Sequence, residues 1–306
     1  MSLNPLFSII IPTFNRAQFI KRAIDSVLAQ SYSNWELLVV DDGSTDNTRD
    51  VVMQYCNADK RIKYIYQQNQ RVSAARNRGM EACNGDYLCF LDSDDEYKTT
   101  HLQVFADAIN NGHHSNLLYT KFISVAEGIE RTFEPNVFAN SNDDKRTRIL
   151  NVFLPYSPPV QTICVPASVK NSVKYNPKYN YTECYDFCAK CASLANPYFV
   201  NEATVYMHIH SGNISVANNN NQALNFYSMQ IKEFTDMVND DYYKEIAHTP
   251  QYAAKLQSLY LNVIKILFGI KQYKNAIQYF AALIKWKPGL LLSKQMPVLI
   301  YQLIKQ

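Results

Sequence analysis

Tyr87-Leu88-Cys89-Phe90-Leu91-Asp92-Ser93-Asp94-Asp95 is an apolar strand that runs directly into three carboxylates. Carboxylates crowded this closely repel one another. A divalent cation sharing the site with a polyphosphate relieves the repulsion, because hard oxygen ligands suit Mg2+ or Mn2+. The end of a strand is also where open α/β sheets take their ligands. Read alone, the same residues fit an acidic solvated turn equally well, so the surrounding sequence has to decide.

Upstream, strand and helix patterns alternate at short spacing. Residues 7–11 are a β-branched run closed by Pro12-Thr13-Phe14-Asn15, and Phe19, Ile20, Ala23, Ile24, Val27 and Leu28 then recur at helical spacing. Residues 35–40 form a second buried strand closed by Asp41-Asp42-Gly43-Ser44, after which Thr45 or Asp46 can cap a helix carrying Val51, Val52 and Tyr55. A third strand spans 62–66. Ser73 caps a helix through Ala82, and Asn84-Gly85 ends it ahead of the acidic strand. This alternation predicts an α/β fold, a mostly parallel sheet flanked by helices, with the ligand-facing loops after the strands. No Gly-rich phosphate loop of standard spacing is present.

Farther along, a helix is expected over 102–109, a strand over 117–125, and a polar loop over 136–145 ahead of a helix near 146–153. Residues 160–165 read as a strand rejoining the sheet. Thr182 caps a helix over 183–195 that Asn196-Pro197 stops, and 198–210 alternate like an edge strand. Asn218 to Asn221 mark a boundary, which divides the chain into a domain over 1–217 and an all-helical extension over 218–306. The extension carries one stripe of Leu256, Leu259, Tyr260, Val263, Ile264 and Leu267 and a second of Ala276, Ile277, Phe280, Ala281 and Ile284.

A chain of 306 residues with 47% hydrophobic content can bury a sizeable core. Its net charge of +3, without blocks of like charge, argues against nucleic acid as a partner. Seven cysteines without metal-finger spacing, and no signal-like start, read as a reducing cytoplasm. No run reaches the ~20 apolar residues of a membrane span. Lys285, Lys287, Lys294 and Lys305 among Trp286, Phe280 and leucines leave two uses for the last helices. One is peripheral contact with the inner face of the plasma membrane; the other is packing on the domain or in a homodimer.

Four blocks then stand in order within the first 95 residues. They are Ser8-Ile9-Ile10-Ile11-Pro12-Thr13-Phe14-Asn15, Glu36 through Thr48 with Asp41-Asp42-Gly43-Ser44 inside it, Val72-Ser73-Ala74-Ala75-Arg76-Asn77-Arg78-Gly79, and Phe90-Leu91-Asp92-Ser93-Asp94-Asp95. Together they resemble the signature of the family-2 inverting glycosyltransferases, over roughly residues 6–216. The resemblance implies a GT-A fold, a nucleotide-diphosphate sugar as donor (a UDP-sugar first), a glycan or lipid-linked acceptor in polysaccharide biosynthesis, and Mn2+ or Mg2+ as cofactor. It places Pro12, Thr13 and Asn15 at the base and ribose, with Asp42, helped by Asp41, accepting a base hydrogen. Asn69 joins that pocket, and Arg76 holds the diphosphate or ribose side. Asp92 and Ser93 belong to the donor site, with Asp92 reaching the ribose; Asp94 meets the metal with Asp92 beside it, Asp95 lies near the donor sugar, and His210 is a further metal or diphosphate ligand. Tyr156, Gln161, Thr162 and Tyr179 are candidates to line the acceptor site.

The sequence departs from the family in two places. Arg71 stands where a glycine is usual. In Tyr181-Thr182-Glu183-Cys184-Tyr185-Asp186-Phe187, Cys184 occupies the position of the aspartate base. A thiol with an ordinary pKa of about 8.5 is a poor base near neutrality. Glu183 and Asp186, three apart and on one helix face, are the substitutes. The rival reading is a catalytically impaired nucleotide-sugar-binding protein with a helical interaction arm.

Overall fold

The structure is a computed structural model, and it describes residues 3–135, 147–149, 158–210, 219–240, 243, 246 and 249–287. These divide into two compact units, Met1–Ile209 and His210–Gln306. The boundary expected at 217/218 falls within residues 211–218, outside the described residues, as do Tyr156 and most of the helix expected near 146–153.

The first unit opens with β1 (Phe7–Thr13), α1 (Ile20–Leu28), β2 (Trp35–Asp41), α2 (Thr48–Ala58), β3 (Ile62–Tyr66), α3 (Arg71–Ala82) and β4 (Tyr87–Phe90). It continues with β5 (Glu96–Tyr97), α4 (His101–Ala108), β6 (Leu117–Ala126), β7 (Ile129–Phe133), β8 (Ile163–Pro166), α5 (Glu183–Leu194) and β9 (Pro197–Ile209). β1 and β2 are buried along their whole length. Strands covered on both faces read as continuous apolar runs rather than alternating ones. On one face Phe7, Ile9 and Ile11 share a cluster with Ile20, Ala23, Ile24 and Val27 of α1. On the other, Ile10 meets α3 so closely that a Cβ on Gly79 would lie 2.5 Å from its Cγ2. Each such isoleucine contributes about 1.5–3 kcal/mol by burial.

The strand order is β3-β2-β1-β4-β8-β6-β9-β5, and β7 pairs antiparallel with the second half of β6. The β3-β2-β1-β4 half is parallel, as the strand-helix alternation predicts. The other half is mixed: β8 is antiparallel to β4 and β6, while β9 is parallel to β6 and antiparallel to β5. β9 is therefore interior rather than the expected edge strand, because alternation along a strand reports its two faces and says nothing of its hydrogen-bonded neighbours. Residues 160–162, expected to be strand, form a 3-10 turn before β8. Ser73 lies inside α3 rather than capping it, since the helix begins at Arg71.

Buried polar side chains tie these layers together. Glu36 accepts hydrogen bonds from Ser8 Oγ and Lys63 Nζ, each at 2.7 Å, and from the Asn84 backbone N–H. Burial pushes its carboxyl up, but Lys63, Asn84 and Ser8 together hold it at about 2. His101 stacks on Tyr97 and shares a hydrogen bond of 2.8 Å with Thr204 Oγ1. Burial lowers its pKa to about 3, so it packs as a neutral ring.

In the second unit, α6 (Asn220–Met237), α7 (Pro250–Gly269) and α8 (Tyr273–Trp286) pack in sequence. Asn219 and Thr249 cap α6 and α7 by accepting the Gln222 and Tyr252 backbone N–H groups. Leu256, Leu259, Val263, Ile264 and Leu267 are buried as the first stripe predicts, but α8 turns Ala276 and Leu283 inward and leaves Ile277 63% exposed. Among the described residues no helix is long and apolar enough to cross a membrane.

Candidate active site

β1 and β2 run in register, Thr13 beside Asp41, and β3 sets Tyr66 beside Asp41, so the parallel strands finish along one edge. The loops after them carry the sequence-predicted residues. Asn15 has φ of 53°, a left-handed conformation that asparagine tolerates. Its Oδ1 accepts the Thr45 backbone N–H at 2.8 Å, and its own N–H donates to Ser44 Oγ at 2.9 Å. Asn15 thus joins the first two loops. Gly43, φ 86°, joins the second to the third, because a Cβ there would stand 2.9 Å from the Asn69 backbone nitrogen.

Asp41 and Asp42 do different work. Asp41 accepts the Ser44 backbone N–H at 2.8 Å and the Tyr64 hydroxyl at 2.7 Å, which commits both oxygens to shaping the turn. Asp42 is buried, and its Oδ1 is pinned by Gln67 Nε2 at 2.7 Å and the Gln70 backbone N–H at 2.8 Å. Beside them Thr13 Oγ1 is a buried hydroxyl with no partner, at the end of β1 next to Pro12. Arg71, where the family usually has glycine, has φ of 73°. The backbone keeps the left-handed conformation that glycine favours, although the side chain is large.

Arg76 is 3% exposed. Its Nη2 donates to Asp92 Oδ1 at 2.9 Å, its Nη1 to Glu183 Oε1 at 3.3 Å, and Cys184 Sγ lies 3.6 Å from Nη1. Arg76, expected to hold the diphosphate or ribose side of the donor, couples the acidic strand end to the first turn of α5. Asp92 Oδ2 accepts from Gln161 Nε2 at 2.6 Å. The same nitrogen reaches Asp95 Oδ2 at 2.8 Å, and Asp95 Oδ1 accepts the His208 backbone N–H at 2.9 Å. Burial, then the charges of Asp92 and Asp94, pushes the Asp95 carboxyl well above the usual range. Asp94 and Ser93 are buried between them. Arg16 faces the Asp94 carboxylate from 4.0 Å, and the Arg22 guanidinium donates to the Asp94 carbonyl.

On α5, Glu183 and Cys184 face Arg76, and Cys184 Sγ stands 3.5 Å from Glu183 Oε1. Burial raises the Glu183 pKa, with Arg76 pulling it back. Burial and then the Glu183 charge push the Cys184 thiol well above its ordinary value, so it stays protonated. Asp186 is not brought to this cluster. It is fully buried and pairs with Lys190 Nζ at 2.9 Å, one turn along α5. Of the expected acceptor-lining residues, Thr162 is fully buried with its hydroxyl on the Pro159 carbonyl, Tyr179 is buried, and Gln161 belongs to the acidic cluster. His210 follows β9 and opens the second unit.

Among the described residues no group of three or more His, Cys, Asp or Glu forms a cage for a metal. A cation shared between one or two carboxylates and a substrate's phosphates requires no such cage. Asp94, with Asp92 beside it, fits that arrangement.

The described sheet, parallel in one half and mixed in the other with carboxylates gathered at its strand ends, has the architecture of the GT-A fold. Residues 8–158 match the family model described as glycosyl transferase family 2. That match takes in 151 of the 306 residues, about half of the chain. TuaG of Bacillus subtilis (strain 168), provisionally assigned to teichuronic acid biosynthesis, is 44% identical over 100 residues, 32% of this chain and 40% of TuaG. WcaA of Escherichia coli (strain K12), provisionally assigned to colanic acid biosynthesis, is 45% identical over 108 residues, 34% of this chain and 38% of WcaA. The chain thus matches about two-fifths of the length of these relatives. Among solved structures, S. aureus TarS 1-349 in complex with UDP-GlcNAc superposes with a TM-score of 0.61 at 21% identity, over 92% of this chain and 88% of that one. The mannosyltransferase PcManGT from Pyrobaculum calidifontis, in complex with GDP-Man and Mn2+, gives 0.59 at 14% identity, over 99% and 87%. These two likenesses concern the fold.

Proposed function

We propose that the chain transfers a sugar, with inversion, from a UDP-sugar to a glycan or lipid-linked acceptor in the building of a surface polysaccharide. The observation that carries this reading is Asp42. It is buried at a strand end with Oδ1 pinned by Gln67 and Gln70, on the same sheet edge as the Asp92 to Asp95 cluster. A carboxylate so held is an acceptor-only group suited to the imide N–H of uracil, and the TarS complex and the names of TuaG and WcaA support the donor and the pathway class. Mn2+ or Mg2+, held by Asp94 together with the donor's phosphates, would stabilise the negative charge that develops on the departing diphosphate.

Inversion needs a base on the face opposite the leaving group. We assign it to Glu183. The acceptor oxygen forms its bond to the anomeric carbon as the bond from that carbon to the diphosphate oxygen breaks, and the hydroxyl proton passes to the Glu183 carboxylate. Its upward-shifted pKa moves it toward the range in which a general base works near neutrality. Arg76 holds Glu183 in place, and the protonated Cys184 thiol beside it leaves the proton to the carboxylate. Asp186, closed in and paired with Lys190, contributes to the interior of α5 instead.

The experiment is UDP-sugar turnover with Mn2+ in Glu183→Gln, Asp186→Asn and Cys184→Asp, alongside UDP binding by calorimetry. Glu183→Gln should lose turnover and keep UDP binding. Retained turnover there would remove Glu183 as base. A wild type that binds UDP but turns over only once Cys184 is changed to Asp would favour the impaired nucleotide-sugar binder, the reading that the thiol at the usual base position supports.

A further inference from the structure

The acidic side chains of this protein stop short of its last helices. All 27 Asp and Glu lie before residue 246, whereas eight of the 30 Lys and Arg, every one a lysine, lie after it. The net charge of +3 therefore divides into −5 over residues 1–245 and +8 over residues 246–306. α7 and α8 hold Lys255, Lys265, Lys274 and Lys285 without a carboxylate, and Lys271 stands in the turn between them. A helix face that has only to stay in water usually mixes both signs and is stabilised by i,i+4 pairs between them. These helices forgo such pairs.

α8 presents this charge next to apolar surface. Its buried side is Ala276 and Leu283, the latter packed with Ile264 of α7. On the open side Tyr273, Ile277 and Ala281, each four residues from the next, form one row, and Lys274 and Lys285, about three turns apart, form the row beside it. Tyr273 is 51% and Ile277 63% exposed, and Lys271, Lys274 and Lys285 are exposed as well. An apolar row beside a lysine row is the pattern of a helix that lies in the plane of a bilayer surface. A second copy of the chain fits it poorly, because two such faces would bring like charges together.

We propose that the open face of α8 docks on an anionic lipid surface. Lys271, Lys274 and Lys285 meet the phosphates of the headgroups, and Tyr273, Ile277 and Ala281 enter the boundary between headgroups and acyl chains. This docking does not depend on the UDP-sugar reading and stands or falls separately from it. A chain held there shares a surface with the lipid-linked kind of acceptor, which raises the effective concentration of that acceptor without any new contact in the active site.

The test is flotation of the full chain with vesicles of phosphatidylcholine alone and with vesicles containing about one-third phosphatidylglycerol. Wild type should float with the anionic vesicles, stay behind with the neutral ones, and be released by high salt, which screens exposed charge. A lysine near an anionic surface contributes about fivefold to partitioning, so Lys274→Gln combined with Lys285→Gln should weaken it by about 25-fold. Ile277→Ser should weaken it with the charges intact and, at so exposed a position, leave the melting temperature unchanged. Lys60→Gln combined with Lys178→Gln removes the same charge from exposed sites on the first unit and should float like wild type. Equal flotation with both kinds of vesicle, no flotation with either, or equal weakening by the two lysine pairs would overturn the proposal. So would a wild-type dimer that Ile277→Ser dissociates without affecting flotation, which would make the face an interface between copies.

Discussion

Replacing Arg76 by Met tests whether the guanidinium is the electrostatic centre of the site. The side chain is 3% exposed and faces two carboxylates, Asp92 at 2.9 Å and Glu183 at 3.3 Å. Methionine keeps most of the stem, so the change is chiefly one of charge and donors. Removing one partner of a buried ion pair costs about 3–5 kcal/mol. Asp92 is 31% exposed and keeps Gln161, whereas Glu183 is 12% exposed and would be left against a thiol. The lower end, about 3 kcal/mol, therefore applies. The cost should also depend on pH. Burial already raises the Glu183 pKa above its ordinary 4.5, and loss of Arg76 raises it further. A carboxyl that holds its proton more tightly folded than unfolded destabilises the fold as pH rises through the folded pKa, and the penalty vanishes below the unfolded one. Urea unfolding in a Trp286→Phe background, where Trp35 alone reports the first unit, would measure this at pH 5 and pH 7.5. A loss below about 1 kcal/mol, or one that does not shrink at pH 5, would refute the account.

A Cβ on Gly85 would lie 2.5 Å from Ser8 Oγ and 2.7 Å from the Leu6 carbonyl oxygen and the Ser8 nitrogen. Backbone cannot yield as a side chain can, so Gly85→Ala should lose about 2–3 kcal/mol in denaturant titration, and an unchanged midpoint would show that β1 has slack there. Glu36→Gln should cost about 1–2 kcal/mol at pH 7, Lys63 being half exposed and screened. Because the Glu36 pKa is lowered to about 2, that contribution is full above about 4.5 and fades as pH falls toward 2; a stability difference from wild type independent of pH would contradict it. Arg71→Gly should leave stability level or raise it by up to about 1 kcal/mol, since relief of a left-handed arginine offsets the freedom glycine adds to the unfolded chain. A clear drop in melting temperature would mean the arginine side chain contributes more than its backbone costs.

By itself the sequence determined the strand-helix alternation through β4 and the four ordered blocks, because both are written in short-range periodicity and in turn chemistry next to each strand. Asp42, Asp92 and Asp95 could be picked out for the same reason: Asp42 follows β2, and Asp92 and Asp95 follow β4. Tertiary structure decided what those residues meet. Arg76 reads as an anion ligand on its helix, and only the approach of α5 turns it into the inward partner of Glu183. Glu183 and Asp186 share a face on paper, yet packing leaves one at the cluster and closes the other in with Lys190. Gln161 has no local signal, since its place depends on an antiparallel register between segments far apart in the chain. The three carboxylates at Asp92, Asp94 and Asp95 were legible as a crowded charge. Which of them is held by an amide, a guanidinium or a backbone N–H is a property of groups from other parts of the chain, and no pattern along β4 encodes it.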